Sequence, residues 1–134
     1  MDFPIHFGLQ KIDLPLILIE FQGVNLCMLL DTGANNNFID NRICKQFKEH
    51  IEKSEDCSFV FGLEGDKVIN ERIKLTFKFE EEFYTTFFDT LPENNGFKNI
   101  EEDEGVQIHG VLGSMFFVEH KWIIDFAELK IYSK

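Results

Sequence analysis

The run Leu26-Cys27-Met28-Leu29-Leu30 is wholly apolar and ends in one carboxylate, Asp31, followed at once by Thr32 and Gly33. An apolar run of this length reads as a buried strand. A strand that stops at an acid holds that acid at the edge of the core, where it can exchange a proton with something bound there. Gly33 permits a turn that a residue with a Cβ resists, and the Thr32 hydroxyl can bond nearby backbone and stiffen that turn. As a bare three-residue match, the same letters also describe an ordinary loop between two elements, so the flanks must decide.

The elements that would position Asp31 follow from periodicity. Residues 12–20 read as a strand, with Leu14, Leu16 and Leu18 on one face and Ile17 and Ile19 on the other, so both faces are expected to be buried. Gln22-Gly23 turns this strand into the one that carries Asp31, giving a hairpin. Asn35, Asn36 and Asn37 form a polar cluster suited to turns or to substrate contact, and Phe38 and Ile39 return to the core. Asp40 is placed to cap a short helix with Ile43, Phe47 and Ile51 at four-residue spacing. Phe59-Val60-Phe61 and Val68-Ile69 flank Gly62-Leu63-Glu64-Gly65-Asp66, a glycine-bearing hairpin tip. Ile73, Leu75, Phe77 and Phe79 alternate with polar residues as a half-buried strand, Glu80-Glu81-Glu82 turns the chain, and residues 83–91 form the next strand. Residues 92–105 are polar, and their run Glu101-Glu102-Asp103-Glu104 reads as a solvated face whose spacing fits no calcium loop. Val111-Leu112 enters the core, Gly113 turns, and residues 115–119 form a short helix before the last strands.

Composition sets the bounds. The 134 residues suit a single domain, residues 1–134, with its own core, and 16 Phe imply many aromatic contacts within it. A formal net charge of -11 argues against a nucleic-acid or anionic-membrane partner, because both need basic patches. No run approaches the roughly 18 apolar residues of a membrane span, and Met1-Asp2-Phe3-Pro4-Ile5-His6 lacks the pattern of a secretory signal. Cys27, Cys44 and Cys57 are widely spaced and odd in number, which does not fit a disulfide framework. These features give a cytoplasmic expectation. The histidines, at 6, 50, 109 and 120, show no metal-ligand spacing, and Cys27 reads as a small hydrophobe within its strand.

Leu29-Leu30-Asp31-Thr32-Gly33-Ala34 resembles the active-site segment of the retropepsin-like aspartic proteases, the single-domain relatives of pepsin. Gly110-Val111-Leu112-Gly113 with Met115-Phe116-Phe117 resembles the family's hydrophobic-hydrophobic-Gly motif. Trp122-Ile123-Ile124-Asp125-Phe126 and Leu129-Lys130-Ile131-Tyr132 resemble the closing strands of its bacterial, non-viral branch, so the resemblance spans residues 14–132. It implies an all-β closed barrel with one or two short helices. It also implies an aspartic endopeptidase acting on a peptide or protein substrate, with no metal and no cofactor.

Such proteases use two aspartates that share a proton, and this chain holds one Asp-Thr-Gly. The resemblance therefore implies a homodimer with Asp31 from each copy, Thr32 bonding across the interface and the Gly33 carbonyl contacting substrate backbone. Ala34, Asn35 and Asn36 would line the substrate, and Gly62, Leu63 and Gly65 stand where the family has its flap, a hairpin that folds over bound peptide. Viral members carry acids just after the Ala and an Arg after the second-motif Gly that pairs with one of them. Here Asn35, Asn36 and Ser114 stand there, so both charges are absent together, and Met115 stands where bacterial relatives often have Asp. Two alternatives stay open. One is a catalytically silent dimeric or peptide-binding module that keeps the fold. The other is an intrachain partner, Asp125, although Ile-Ile-Asp-Phe reads more simply as a strand end whose acid is capped by backbone or faces solvent.

Overall fold

The computed structural model describes residues 1–61, 67–92 and 94–134, with backbone alone for 54–61 and 67–71. The chain begins with β1 (Asp2–Pro4), α1 (His6–Ile12), β2 (Leu16–Phe21) and β3 (Val24–Asp31). It continues through β4 (Phe38–Asp40), α2 (Asn41–Gln46), a 3-10 turn (Lys48–His50), β5 (Glu52–Phe61), β6 (Lys67–Phe79) and β7 (Glu82–Leu91). It ends with α3 (Phe97–Glu104), β8 (Gly110–Gly113), α4 (Ser114–His120), β9 (Trp122–Asp125) and β10 (Lys130–Ser133).

The larger sheet runs β2-β3-β8-β4-β7-β6-β5, and a Glu20–Lys78 pairing joins β2 to β6. That pairing closes six strands into a barrel and leaves β5 outside it on β6. A smaller sheet, β1-β10-β9, ties the two ends of the chain together. Two-residue hairpins turn at Gln22 and Gly23 (φ 50° and 76°) and at Glu80 and Glu81 (φ 48° and 69°). Two consecutive left-handed residues match the right-handed twist of the flanking strands.

Apolar burial follows the expected alternation in β6, where Ile73, Leu75, Phe77 and Phe79 all point inward. The main core gathers the aromatics: Phe77 stacks on Tyr84 at 5.5 Å, and Phe116 meets Trp122 edge-on at 5.0 Å. A smaller cluster of Leu16, Cys27, Leu29, Ile108 and Val111 fills the space under α3.

Three local expectations change. The strand expected over residues 12–20 starts only at Leu16, because α1 runs to Ile12 and closes on a left-handed Asp13 (φ 60°) whose N–H bonds the Leu9 carbonyl. Within β2, Leu18 is 56% exposed, so only one face is fully covered. The expected helix after Asp40 stops at Gln46, and Phe47 and Ile51 reach the core from either end of the 3-10 turn that follows. Alongside the barrel the described residues hold four short α-helices, of which α2 and α4 match the sequence reading. The hairpin tip with Gly62, Leu63 and Gly65 lies outside the described residues; β5 and β6 pair up to Phe61 and Lys67.

Candidate active site

Leu26, Cys27, Met28, Leu29 and Leu30 are all buried, because β3 lies between β2 and β8 in the barrel wall. Asp31 is the last residue of that strand and emerges half-buried at its end. Its Oδ1 accepts the Gly33 N–H at 2.9 Å, and its carbonyl accepts the Ala34 N–H at 3.2 Å. The turn is therefore built by the acid itself. Gly33 does not adopt a left-handed conformation. A Cβ there would stand 3.2 Å from Asp31 Oδ1, so any larger residue would push on the acid by a few tenths of an ångström. Thr32 is exposed, and its hydroxyl makes no hydrogen bond among the described residues, so it does not stiffen the turn from within.

The loop after the turn is clasped by β8 and α4. β8 runs parallel to β3 (Asp31 opposite Gly113) and antiparallel to β4 (Phe38 opposite Val111), so it lies between the two strands that flank the loop. The Ser114 N–H bonds the Ala34 carbonyl at 2.8 Å, and the Met115 N–H reaches the Asn35 carbonyl at 3.3 Å. These are first-turn donors of α4, whose N-cap Gly113 offers no side chain, so the loop carbonyls do the capping. At Gly113 a Cβ would sit 2.4 Å from the Asn36 carbonyl oxygen, so this approach is open to glycine alone. Asn37 closes the arrangement from below. Its Oδ1 accepts the Gly113 N–H at 2.8 Å, its Nδ2 donates to the Phe87 carbonyl at 3.1 Å, and its own carbonyl accepts the Asp89 N–H at 2.9 Å.

Solved structures similar to this chain include three proteases or protease-like domains. The retroviral protease-like domain of Ddi1 from Leishmania major aligns with a TM-score of 0.61 at 11% identity, over 89% of this chain and 86% of that one. A retropepsin-like aspartic protease from Rickettsia conorii aligns at 0.59 and 12% identity, over 98% and 86% of the two chains. EIAV protease, solved with an inhibitor, aligns at 0.57 and 17% identity, over 79% and 86%. The chain has the retropepsin-like fold. No protein-family model and no curated protein matches the sequence.

Around this retropepsin-like barrel, the remaining candidates separate by geometry. Asp125 ends β9, where its Oδ1 accepts the Ala127 and Glu128 N–H groups, both at 2.9 Å. It is a strand-end cap, one of the two roles its sequence context allows. Cys27 is buried, and burial pushes its thiol up to about 11, which fits a packing role. His109 lies on the approach to β8. Its Nδ1 accepts the Cys27 backbone N–H at 2.9 Å, and its backbone N–H donates to the Cys27 carbonyl at 2.8 Å. Burial holds its pKa below the ordinary 6.5; Arg42 adds to that effect, and Asp40 and Glu101 oppose it.

One feature escaped the sequence reading. Asp89, on β7, is only 1% exposed, and its two oxygens accept from Arg72 Nε at 3.3 Å and from Asn36 Nδ2 at 3.0 Å. A carboxylate–guanidinium pair thus joins the neighbouring strands β6 and β7 beside the loop. One Asn of the loop is bound to it. The sequence gives no signal for it, because Asp89 falls on the same face of β7 as the exposed Phe83 and Phe87 and reads as a solvent-facing acid.

Proposed function

We propose that this chain is an aspartic endopeptidase whose water-activating dyad forms when two copies bring their Asp31 carboxylates together. The observation that carries the reading is the turn itself. One acid is delivered by a buried strand and fixed through Oδ1 by a backbone N–H, while Oδ2 makes no hydrogen bond among the described residues. Thr32 and Gly33 are exposed beside it, as a half-site that meets its copy would require. The likeness to protease structures supports the same reading.

The chemistry follows from pairing. Two carboxylates within hydrogen-bonding distance cannot both ionise readily, so one keeps a proton; aspartic proteases are the standard instance of this splitting. The ionised member takes a proton from water as that water attacks the peptide carbonyl carbon. The protonated member gives its proton to the carbonyl oxygen as negative charge develops on it, and the tetrahedral diol then collapses, breaking the C–N bond as the proton taken from water passes to the leaving amine nitrogen. In this reading Thr32 bonds across the interface. The Gly33 carbonyl, Ala34, Asn35, Asn36 and the tip residues Gly62, Leu63 and Gly65 hold the extended peptide.

The test is hydrolysis of a random peptide library by the wild-type chain and by Asp31→Asn. Asn keeps an Oδ1 for the Gly33 N–H, so the fold should persist, measured by an unchanged thermal melt. It cannot act as the ionised base, so cleavage should vanish. Peptide binding without cleavage by the wild-type chain would instead favour the silent peptide-binding module.

A further inference from the structure

We infer that Arg72, held by Asp89, is a specificity-determining residue that selects a carboxylate-bearing side chain in the peptide; this rests on the peptide-binding reading of the Asp31 loop. A cavity of about 270 Å³ opens beside that loop, lined by Asn35, Asn36, Arg72, Asp89, Met115 and Glu119 among others. It has room for one amino-acid side chain, and it shares Asn35 and Asn36 with the loop that would hold the peptide.

Its polar floor is built. Asp89 is buried and engages Arg72 through Nε alone, at 3.3 Å. Arg72 and Asp89 are cross-strand neighbours, so the guanidinium is anchored from the side rather than end-on. No described residue accepts a hydrogen bond from its terminal nitrogens, and its side chain is 29% exposed. A guanidinium held at Nε still offers an edge of terminal donors that suits a second carboxylate. The second charge at the rim is Glu119, whose side chain is 63% exposed. It opposes an incoming acid, and solvent screens it far more than the buried pair.

The experiment uses full-length Asp31→Asn chain and fluorescent peptides carrying Glu, Leu or Lys at each position in turn. At one position Glu should bind about tenfold more tightly than Leu, equivalent to about 1.4 kcal/mol, and Lys should bind worst. Removing Arg72 alone would strand a buried acid, so the informative variant is Arg72→Gln with Asp89→Asn, checked by thermal melt. It should bring Glu and Leu to near parity at that position. Glu119→Gln, a surface change, should move the preference the other way and strengthen binding of Glu. No Glu preference in the parent chain, or no response to either variant, would overturn the assignment while leaving the protease reading intact. Loss of cleavage in wild-type chain with the Glu preference retained would overturn the protease reading alone. Failure to bind any peptide would overturn both.

Discussion

Asp31 is held by backbone, and that bears on how its neighbours can be changed. The loop carbonyls of Ala34 and Asn35 satisfy α4, and Gly113 lets the two segments touch. Gly113→Ala should therefore cost about 1–3 kcal/mol, seen as a lower urea midpoint, and should reduce any cleavage further because the turn must shift. If Asp31 works as half of a dyad, the pH–rate profile should be bell-shaped, since the pair acts only while it holds one proton. A plateau at alkaline pH would point to another base. At this scale Asp31 was legible because a local run of letters announces it. The Arg72–Asp89–Asn36 cluster was not, because its members are separated by 17 and 53 residues and meet only when β6, β7 and the loop assemble.

The elements divide in the same way. Gln22-Gly23, the Asp40 cap and the β6 alternation were readable because each is a local rule. Asp40 indeed accepts the Arg42 N–H at 2.8 Å. α1 was missed because seven residues containing a glycine carry little helical signal, and its Gly8 is set by tight packing against the Leu14 carbonyl. α3 was hidden by its four acids, although Phe97 and Ile100 give it a narrow apolar stripe against the smaller cluster. The Glu80-Glu81 turn places two side-chain-bearing residues in left-handed conformations. Glu81→Gly should stabilise the fold by roughly 1 kcal/mol, read as a raised thermal midpoint.

His109 links the approach to β8 with β3. Because burial lowers its folded pKa below 6.5, its contribution is fully present above that value. It is lost as pH falls through the lower folded pKa, since the protonated ring cannot accept the Cys27 N–H. Between about pH 7.5 and 5.5 the wild-type melting temperature should fall more than that of His109→Asn, whose Oδ1 can still accept. Equal slopes would remove His109 from the account.

For the molecule as a whole, alternation marked individual strands, whereas the closed barrel came only from the resemblance carried by the segments around Asp31 and Gly113; the threading of β8 between β3 and β4 emerges from the structure. Pairing between copies is a different matter, since it lies in surfaces that no local pattern describes. A chain of net charge -11 must overcome its own repulsion to pair, so added salt should strengthen assembly, measured by sedimentation.

In the proposed mechanism one active site takes Asp31 from two chains. Wild-type and Asp31→Asn chains, mixed in equal amounts, unfolded and refolded together, test it most directly. Shared sites predict roughly a quarter of the activity of the same total amount of wild-type chain, because only one random pairing in four carries both acids. Activity of one half, with no loss per chain on dilution, would mean that each chain carries a complete site.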